Sequence, residues 1–260
     1  MSEAGNFTDS LKLLAAKGLR YRTVIDLGCA DGHFFLQHLS LGCFAGAIPV
    51  NVDANPIYEQ SLKAIRDAVG GNYVIAAMAD HVGEVELTLG SHPYWSSLLA
   101  ENDPYWQRMN KLHQGKTKVR AVTVDSLAQE LRLVPPFLLK LDIQGSELAV
   151  LKGARETLKE TDVVICEIDL ADFNRLDGLM DDAGFSLFDM TSLCRVVDGS
   201  LGWFYPVYLN RRRDGIRART LWDASRNQEV LEMQRNRRTQ VLEFNARVLA
   251  EIRKARGGKA

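Results

Sequence analysis

No stretch of this sequence approaches the roughly 18 consecutive apolar residues that a membrane-spanning helix requires, and its first residues lack the apolar core of a secretory signal peptide. Its four cysteines include no Cys-x-x-Cys pair and lie in or beside apolar segments, as reduced thiols do. They are Cys29, Cys43, Cys166 and Cys194. We therefore expect a soluble, cytoplasmic protein without a membrane span.

A net charge of either sign is also nearly absent, because 32 Lys and Arg balance 33 Asp and Glu. The balance hides an asymmetry along the chain. Residues 1–210 hold 18 Lys and Arg against 27 Asp and Glu, a net charge of −9, whereas residues 211–260 hold 14 against 6, a net charge of +8. The sequence thus divides into residues 1–210, long enough for one α/β domain, and a basic extension over residues 211–260.

Neither the Gly-x-Gly-x-x-Gly dinucleotide fingerprint nor a phosphate loop with Gly-Lys-Ser/Thr is present at the first predicted strand. The stretch TVIDLGCADGHF predicts a buried strand over Thr23–Leu27, a tight loop over Gly28–Gly32 and a helix over His33–Leu41. Glycines at the two ends of this loop let a ligand approach the backbone, and the helix start offers N–H groups to a carboxylate. A plain strand-to-helix turn is the alternative interpretation.

Carboxylates follow the next two predicted strands, which cover Ala47–Val52 and Tyr73–Met78. Asp53, with Asn55 nearby, is placed to accept hydrogen bonds from a ribose. Ala79 and Asp80 are a small residue and an acid, suited to flank an adenine and its amino group. These strand ends converge on an adenosine that carries an amino-acid tail, so the predicted ligand is S-adenosylmethionine.

The segment Ser91–Gly115 is the least regular part of the chain and concentrates aromatic side chains. A loop of this length is either a lid over a pocket or a satellite hydrophobic cluster, and we favour the lid. Ser96 and Ser97 within it either offer hydroxyls to a ligand or cap a helix.

The most specific stretch is PFLLKLDIQGSELAVLKGARETL, from Pro136 to Leu158, in which a buried strand over Phe137–Leu141 is followed by Asp142 and by a turn into a helix. It resembles the signature of the FkbM family of S-adenosylmethionine-dependent methyltransferases, close to Leu-Lys-(Ile/Leu)-Asp-(Val/Ile)-(Glu/Gln)-Gly-x-Glu and then Val-Leu-x-Gly-Ala. The matching residues are Leu139, Lys140, Leu141, Asp142, Ile143, Gln144, Gly145, Glu147, Val150, Leu151, Gly153 and Ala154.

The resemblance extends over roughly residues 10–210. The first loop of the family usually reads Asp-x-Gly-Ala-Asn-x-Gly, and here Cys29 and Ala30 replace Ala-Asn while Asp26, Gly28 and Gly32 are kept. The resemblance implies a class I methyltransferase: an α/β, Rossmann-like, doubly wound sheet of seven strands with the last one antiparallel. The cofactor-binding residues that we expect are Asp26, Gly28, Cys29, Ala30, Gly32, Asp53, Asn55, Ala79, Asp80 and Asp142.

The activity implied is methyl transfer to a hydroxyl of a sugar in a polysaccharide, glycolipid or secondary metabolite. Aligning the acceptor supplies most of the catalysis of such a displacement, but a hydroxyl also needs a base or a metal. Asp142 and Glu167 end adjacent predicted strands and could be that base or a metal pair, and His33 lies next to the first loop. Asp142 has a second interpretation, a hydrogen bond to the cofactor or to a helix N-terminus. No metal motif is present, so a divalent ion is compatible but not indicated.

Beyond Asn210 the resemblance fades. Leu221–Arg256 predicts one long helix of about 50 Å, with apolar positions mostly after Val241. This helix either projects and pairs two copies of the chain or packs back along its own domain. Its arginines suit an anionic glycan, lipid head groups or nucleic acid.

Two other functions compete with a glycan or small-molecule O-methyltransferase. One is a scaffold without catalysis that pairs through the C-terminal helix, for which the departure at Ala30 is the hint. The other is a nucleic-acid methyltransferase that uses the basic extension. The absence of an Asn-Pro-Pro-Tyr-type tetrad and of basic residues interleaved with aromatics argues against nucleic acid.

Overall fold

The computed structural model describes residues 5–104, 106, 113–217 and 227–257. The chain forms two compact units, one ending at Asp214 and the other starting at Gly215. The first unit extends past the predicted boundary at residue 210 because Arg211 pairs with Asp181 while Arg212 and Arg213 pair with the buried Asp162.

The strands are β1 (Thr23–Leu27), β2 (Ile48–Asp53), β3 (Asn72–Ile75), β4 (Ala77–Met78), β5 (Gly83–Gly90), β6 (His113–Val122), β7 (Phe137–Leu141), β8 (Thr161–Cys166), β9 (Ile168–Asp169), β10 (Phe185–Arg195) and β11 (Leu201–Asn210). The α-helices are α1 (Phe7–Ala16), α2 (His33–His38), α3 (Glu59–Val69), α4 (Val124–Glu130), α5 (Glu147–Lys152), α6 (Arg155–Lys159), α7 (Phe173–Asp182) and α8 (Asn227–Gly257).

The central sheet has the strand order β10-β11-β8-β7-β1-β2-β3, and β9 adds to β11. Neighbours from β8 to β3 are parallel, whereas β11 runs antiparallel to both β8 and β10. This confirms the predicted doubly wound sheet with an antiparallel last strand. The order reverses at β1, which pairs with both β2 and β7, so the carboxyl ends of these strands flank the crevice where ligands bind in such sheets.

The middle of the sheet is formed by strands whose every residue is buried, namely β1, β7 and β8. Such continuous burial requires helices on both faces, and it explains why these strands are nearly unbroken apolar runs. The charged exceptions inside these strands are Asp26, Lys140 and Asp162, and all three lie in ion pairs. Each charged side chain within these strands therefore has an ion-pair partner.

The prediction of a single third strand over Tyr73–Met78 was wrong. Asn72–Ile75 stays in the central sheet, but Ala77 and Met78 pair with Ala121 and Val122 in a second sheet of order β4-β6-β5. The chain changes sheets at Ala76, whose N–H still donates to the carbonyl of Asp53. Residues that follow Met78 are therefore carried away from the carboxyl edge of the central sheet.

The second unit contains α8, a helix of 31 residues. Its existence was predicted, although the first predicted residues, 221–226, lie outside the described residues. At 1.5 Å per residue the helix is about 46 Å long. None of the helices that the structure describes is long and apolar enough to cross a membrane.

Candidate active site

A cavity of about 500 Å³ opens at the carboxyl ends of β1, β2 and β7, within the range of roughly 300–1,000 Å³ typical of small-molecule sites. Eight of the residues proposed from the sequence line it, namely Asp26, Gly28, Cys29, Ala30, His33, Asp53, Asp142 and Glu167. The structure thus brings together the ends of four strands. Their individual roles stay predictions.

A buried ion pair borders the cavity. Asp26 on β1 is fully buried, and its Oδ1 accepts a hydrogen bond from Lys140 Nζ on β7 at 3.0 Å. Lys140 also lies 3.5 Å from Asp142 Oδ2 and 5.5 Å from the centre of the Phe34 ring. Burial raises the pKa of Asp26, and the ammonium of Lys140 opposes that rise. Among the described residues the second oxygen, Asp26 Oδ2, is buried without a hydrogen-bond partner.

Asp53 joins the end of β2 to the first loop. Its Oδ2 accepts from the N–H of Ala30 and its Oδ1 from the N–H of Asn55, both at 2.8 Å. A carboxylate has about four acceptor sites, so each oxygen keeps capacity for a ligand. Burial raises the pKa of Asp53 to about 6, against the two backbone donors. The group is therefore ionised at neutral pH and is placed to accept further hydrogen bonds.

The glycines of the first loop serve packing. A Cβ on Gly28 would overlap the backbone oxygen of Asp142, and one on Gly32 would lie 2.6 Å from Ile65 Cδ1 on α3. Both residues also have positive φ, 71° and 79°. At both positions the close neighbour of such a Cβ is the protein itself. Gly28 also lines the cavity, and the approach of a ligand to this loop stays a prediction.

Asp142 and Glu167 follow the neighbouring strands β7 and β8 and are bridged by two donors. Gln144 Nε2 donates to Asp142 Oδ1 at 3.1 Å and to Glu167 Oε2 at 2.9 Å. The Tyr205 hydroxyl lies 2.9 Å from Asp142 Oδ2 and 3.1 Å from Glu167 Oε1. That hydroxyl has a single proton, so it donates fully to one carboxylate at a time.

The charge of this pair is set by competing effects. Burial opposes ionisation of Asp142, but the ammonium of Lys140 and the hydrogen bonds together lower its pKa. Burial and the two nearby carboxylates raise the pKa of Tyr205 well above its usual value, so the phenol stays protonated. The arrangement can accept a proton from a neutral hydroxyl group placed in the cavity.

Four of the expected cofactor residues lie outside the cavity lining. Gly32 packs on α3, and Asn55 Oδ1 accepts from the N–H of Ile57 to cap the turn that follows β2. Ala79 and Asp80 border a neighbouring pocket, because the chain has already left the central sheet. Asp80 is exposed, and its Oδ1 lies 2.8 Å from Nδ1 of His81.

The histidines do not form a metal site. His33 lines the cavity but is exposed, with its Nδ1 2.6 Å from Asp31 Oδ1. His38 is buried and bonds the carbonyl of Phe34. Across the described ranges, no group of three or more His, Cys, Asp or Glu side chains could hold a metal ion.

The first part of the aromatic segment borders the cavity through residues 94–98. Tyr94 stacks on Tyr58 with ring centres 5.8 Å apart. Ser97 Oγ donates to the carbonyl of Gln144 at 2.6 Å and accepts from the N–H of Leu99 at 3.1 Å, so its hydroxyl ties the segment to the turn after β7. Ser96 Oγ is buried without a described partner and belongs to the lining. Tyr105 and residues 107–112 of this segment lie outside the described residues.

Sequence reasoning missed Tyr205, Gln144 and Trp203 as lining residues. Gln144 was visible in the signature, and its φ of 60° shows how the turn directs it towards the carboxylates. Tyr205 and Trp203 lie on β11, and only the pairing of β11 with β8 and β9 brings them to the site. No local pattern in the sequence indicates that pairing.

Comparisons with known proteins identify a family model and several similar solved structures. A model of the methyltransferase FkbM domain matches residues 26–187, more than half of the chain. Methyltransferase FkbM from Methylobacillus flagellatus KT is similar in structure at 14% identity and a TM-score of 0.45, covering 71% of this chain and 43% of that chain. This chain thus spans less than half the length of that protein.

Two other solved structures are similar to this chain. The precorrin-6y C5,15-methyltransferase from Geobacter metallireducens GS-15 has 7% identity and a TM-score of 0.42, covering 77% of this chain and 85% of that chain. Sp1610 from Streptococcus pneumoniae, in complex with S-adenosyl-L-methionine, has 12% identity and a TM-score of 0.41, covering 91% and 90%. The comparison with curated proteins gives no match. The match over residues 26–187 shows that the chain belongs to the FkbM methyltransferase family.

Proposed function

We propose that this protein is an S-adenosylmethionine-dependent O-methyltransferase that acts on a sugar hydroxyl of a polysaccharide, glycolipid or secondary metabolite. The observation that carries the proposal is the Asp142 and Glu167 carboxylate pair at the floor of the cavity, in a chain of the FkbM family. A hydroxyl acceptor must lose a proton, and carboxylates in a partly buried site can take it.

The residues of the cavity fit the cofactor. Asp26 Oδ2, buried without a described partner, suits the ammonium of a methionine tail, because an unpaired buried carboxylate oxygen is costly. Asp53 suits the two hydroxyls of a ribose. Ala76 and Met78 give the lining an apolar part for a purine. When bound, S-adenosylmethionine supplies a methyl group that a nucleophile can attack.

The chain's own residues then position and deprotonate the acceptor. Gln144 and the Tyr205 hydroxyl keep both carboxylates in fixed orientations, so either is ready as an acceptor of the proton. Lys140 contacts Asp142 and favours its charged form. Alignment of the hydroxyl oxygen with the methyl group supplies the remaining acceleration.

The test is transfer of a labelled methyl group from S-adenosylmethionine to a panel of monosaccharides, polysaccharides and glycolipids, with the position of the methyl determined by NMR. We expect methylation at oxygen. Glu167→Gln should lower turnover by about 100-fold or more, the usual contribution of a general base, while the affinity for S-adenosylmethionine stays within a few-fold.

Asp169→Asn is the matched control, since Asp169 ends the neighbouring strand β9 and lies outside the cavity lining. It should leave turnover close to that of the wild type. Methylation at nitrogen or carbon, or a Glu167→Gln variant with full activity, would contradict the proposal.

A further inference from the structure

The C-terminal helix α8 carries exposed apolar side chains along one face. Val241, Leu242, Phe244 and Leu249 are between 48% and 60% exposed. With about 100° of rotation per residue, these side chains and Val248 fall within an arc of about 160°, which also holds Asn245. An amphipathic face of this width normally lies against another apolar surface.

Charge is distributed unevenly around the same helix. Measured from the centre of the apolar arc, Arg237 and Arg238 lie within about 60°, one turn before Val241, and Arg235 lies about 100° away. Three glutamates, Glu229, Glu232 and Glu243, lie about 140° or more away, and Glu251 lies about 100° away on the side opposite to Arg235. Positive charge is thus more abundant on the apolar side of the helix, and negative charge is more abundant on the other.

These arginines are available to a partner. Among the described residues, Arg235, Arg237 and Arg238 form no ion pair, and the surrounding segment 211–260 has a net charge of +8. A partner of this face must therefore be anionic at its surface and apolar just beneath.

We propose that α8 binds flat on an anionic phospholipid surface, with the Val241–Leu249 face in the acyl boundary and the three arginines at the phosphates. A helix of this kind lies in the interface and does not span it. Pairing with a second copy is disfavoured, because α8 holds seven Lys and Arg against four Glu and pairing would bring two helices of net charge +3 together. A nucleic acid matches the arginines but offers no apolar surface for Phe244 and Leu249.

The experiment measures binding of the full chain to vesicles of phosphatidylcholine, alone or mixed with phosphatidylglycerol, by co-sedimentation. We expect at least tenfold tighter binding to the anionic vesicles and a loss of binding at high salt. The triple substitution R235Q/R237Q/R238Q should weaken binding by about 100-fold, since each arginine near such a surface contributes about fivefold.

Matched controls come from the opposite face of the helix. R247Q/K254Q removes two cations that point away from the apolar arc, and it should change binding by only a few-fold. On the apolar side, V241S/F244S should lower the affinity for anionic vesicles by about tenfold or more. Its control is A246S/A250S on the opposite side of the helix, which should bind like the wild type. Circular dichroism shows whether each variant keeps its helix.

Several results would overturn the inference. Equal binding to neutral and anionic vesicles would show that charge does not contribute to binding. Absence of vesicle binding would show that a phospholipid surface is not the partner of α8. A dimer seen by light scattering that V241S/F244S dissociates, without vesicle binding, would identify a second copy as the partner. Binding of an RNA oligonucleotide without vesicle binding would identify nucleic acid. None of these results bears on methyl transfer.

Discussion

Replacing Lys140 by methionine tests the buried ion pair that links the fold to the cavity. Lys140 is 6% exposed and Asp26 is fully buried, with 3.0 Å between Nζ and Oδ1. The substitution keeps the volume of the side chain and leaves the Asp26 carboxylate without its cation. Removing one partner of a buried pair typically costs about 3–5 kcal/mol.

The structure also sets an upper limit on this cost, because Asp26 can escape by taking a proton. For a carboxyl with an ordinary pKa near 4, protonation at pH 7 costs about 4 kcal/mol, and at pH 5 only about 1.5 kcal/mol. We therefore expect Lys140→Met to lower the free energy of unfolding by about 3–4 kcal/mol at pH 7 and by less than half of that at pH 5.

The assay is urea unfolding followed by circular dichroism at both pH values. The double variant Asp26→Asn/Lys140→Met, which has neither charge, should recover at least about 2 kcal/mol at pH 7. A loss below about 1 kcal/mol for Lys140→Met, or an equal loss at pH 5 and pH 7, would refute the reasoning.

Three further predictions follow from the titrating groups. Burial raises the pKa of Asp53 to about 6, and only the ionised form of its carboxyl accepts two hydroxyl donors. The affinity for S-adenosylmethionine should therefore fall up to tenfold per pH unit below about pH 6. The affinity of Asp53→Asn, measured by calorimetry, should not depend on pH in this range. Tyr205→Phe removes a donor to the carboxylate pair, so the acidic limb of the kcat/KM profile should move up by about one pH unit. Burial raises the pKa of Glu147 to about 7, so between about pH 4.5 and pH 7 the folded protein keeps a proton that the unfolded chain has released. The free energy of unfolding should therefore fall as the pH rises through this range. Urea unfolding should show a wild type that is about 1–3 kcal/mol less stable at pH 8 than at pH 5, and Glu147→Gln should abolish this difference.

The strands at the centre of the sheet were predictable because a strand buried on both faces must be an apolar run. β1 and β7 were predicted with the bounds that the structure has, and each ends in a loop at the cavity. Glu147, at the start of α5, has an Oε1 that accepts from the N–H groups of Ile143 and Gly145 in the turn between β7 and the helix.

Pairings between distant segments were not predictable. The third strand was extended through Met78 because Tyr73 to Met78 reads as one apolar run, whereas β6, some 40 residues later, captures its last residues. Asp80 was placed at the cofactor edge for the same reason. The Tyr205 hydroxyl reaches Asp142 from 63 residues away, and no periodicity encodes such a contact.

The structure gives a packing reason for the glycines of the first loop, which the sequence did not reveal. Gly28 and Gly32 were identified by their spacing after a strand, and both positions do require glycine. The neighbours that demand it are the backbone of Asp142 and the side chain of Ile65. Both contacts join segments that are distant in the sequence. The sequence therefore indicated that something approaches the glycine backbone closely, but it did not indicate which residues do so.

The central claim, an S-adenosylmethionine site at the ends of β1 and β2, is tested most directly by calorimetric titration of S-adenosylmethionine and S-adenosylhomocysteine into the folded protein. Asp53→Ala removes the proposed ribose acceptor, and Asp80→Ala removes an exposed acid outside the cavity. The account predicts micromolar binding to the wild type and to Asp80→Ala, and about 100-fold weaker binding to Asp53→Ala, since hydrogen bonds to a charged group are worth about 1.5–3 kcal/mol each. Absence of binding to the folded wild type, or equal binding to Asp53→Ala, would contradict it.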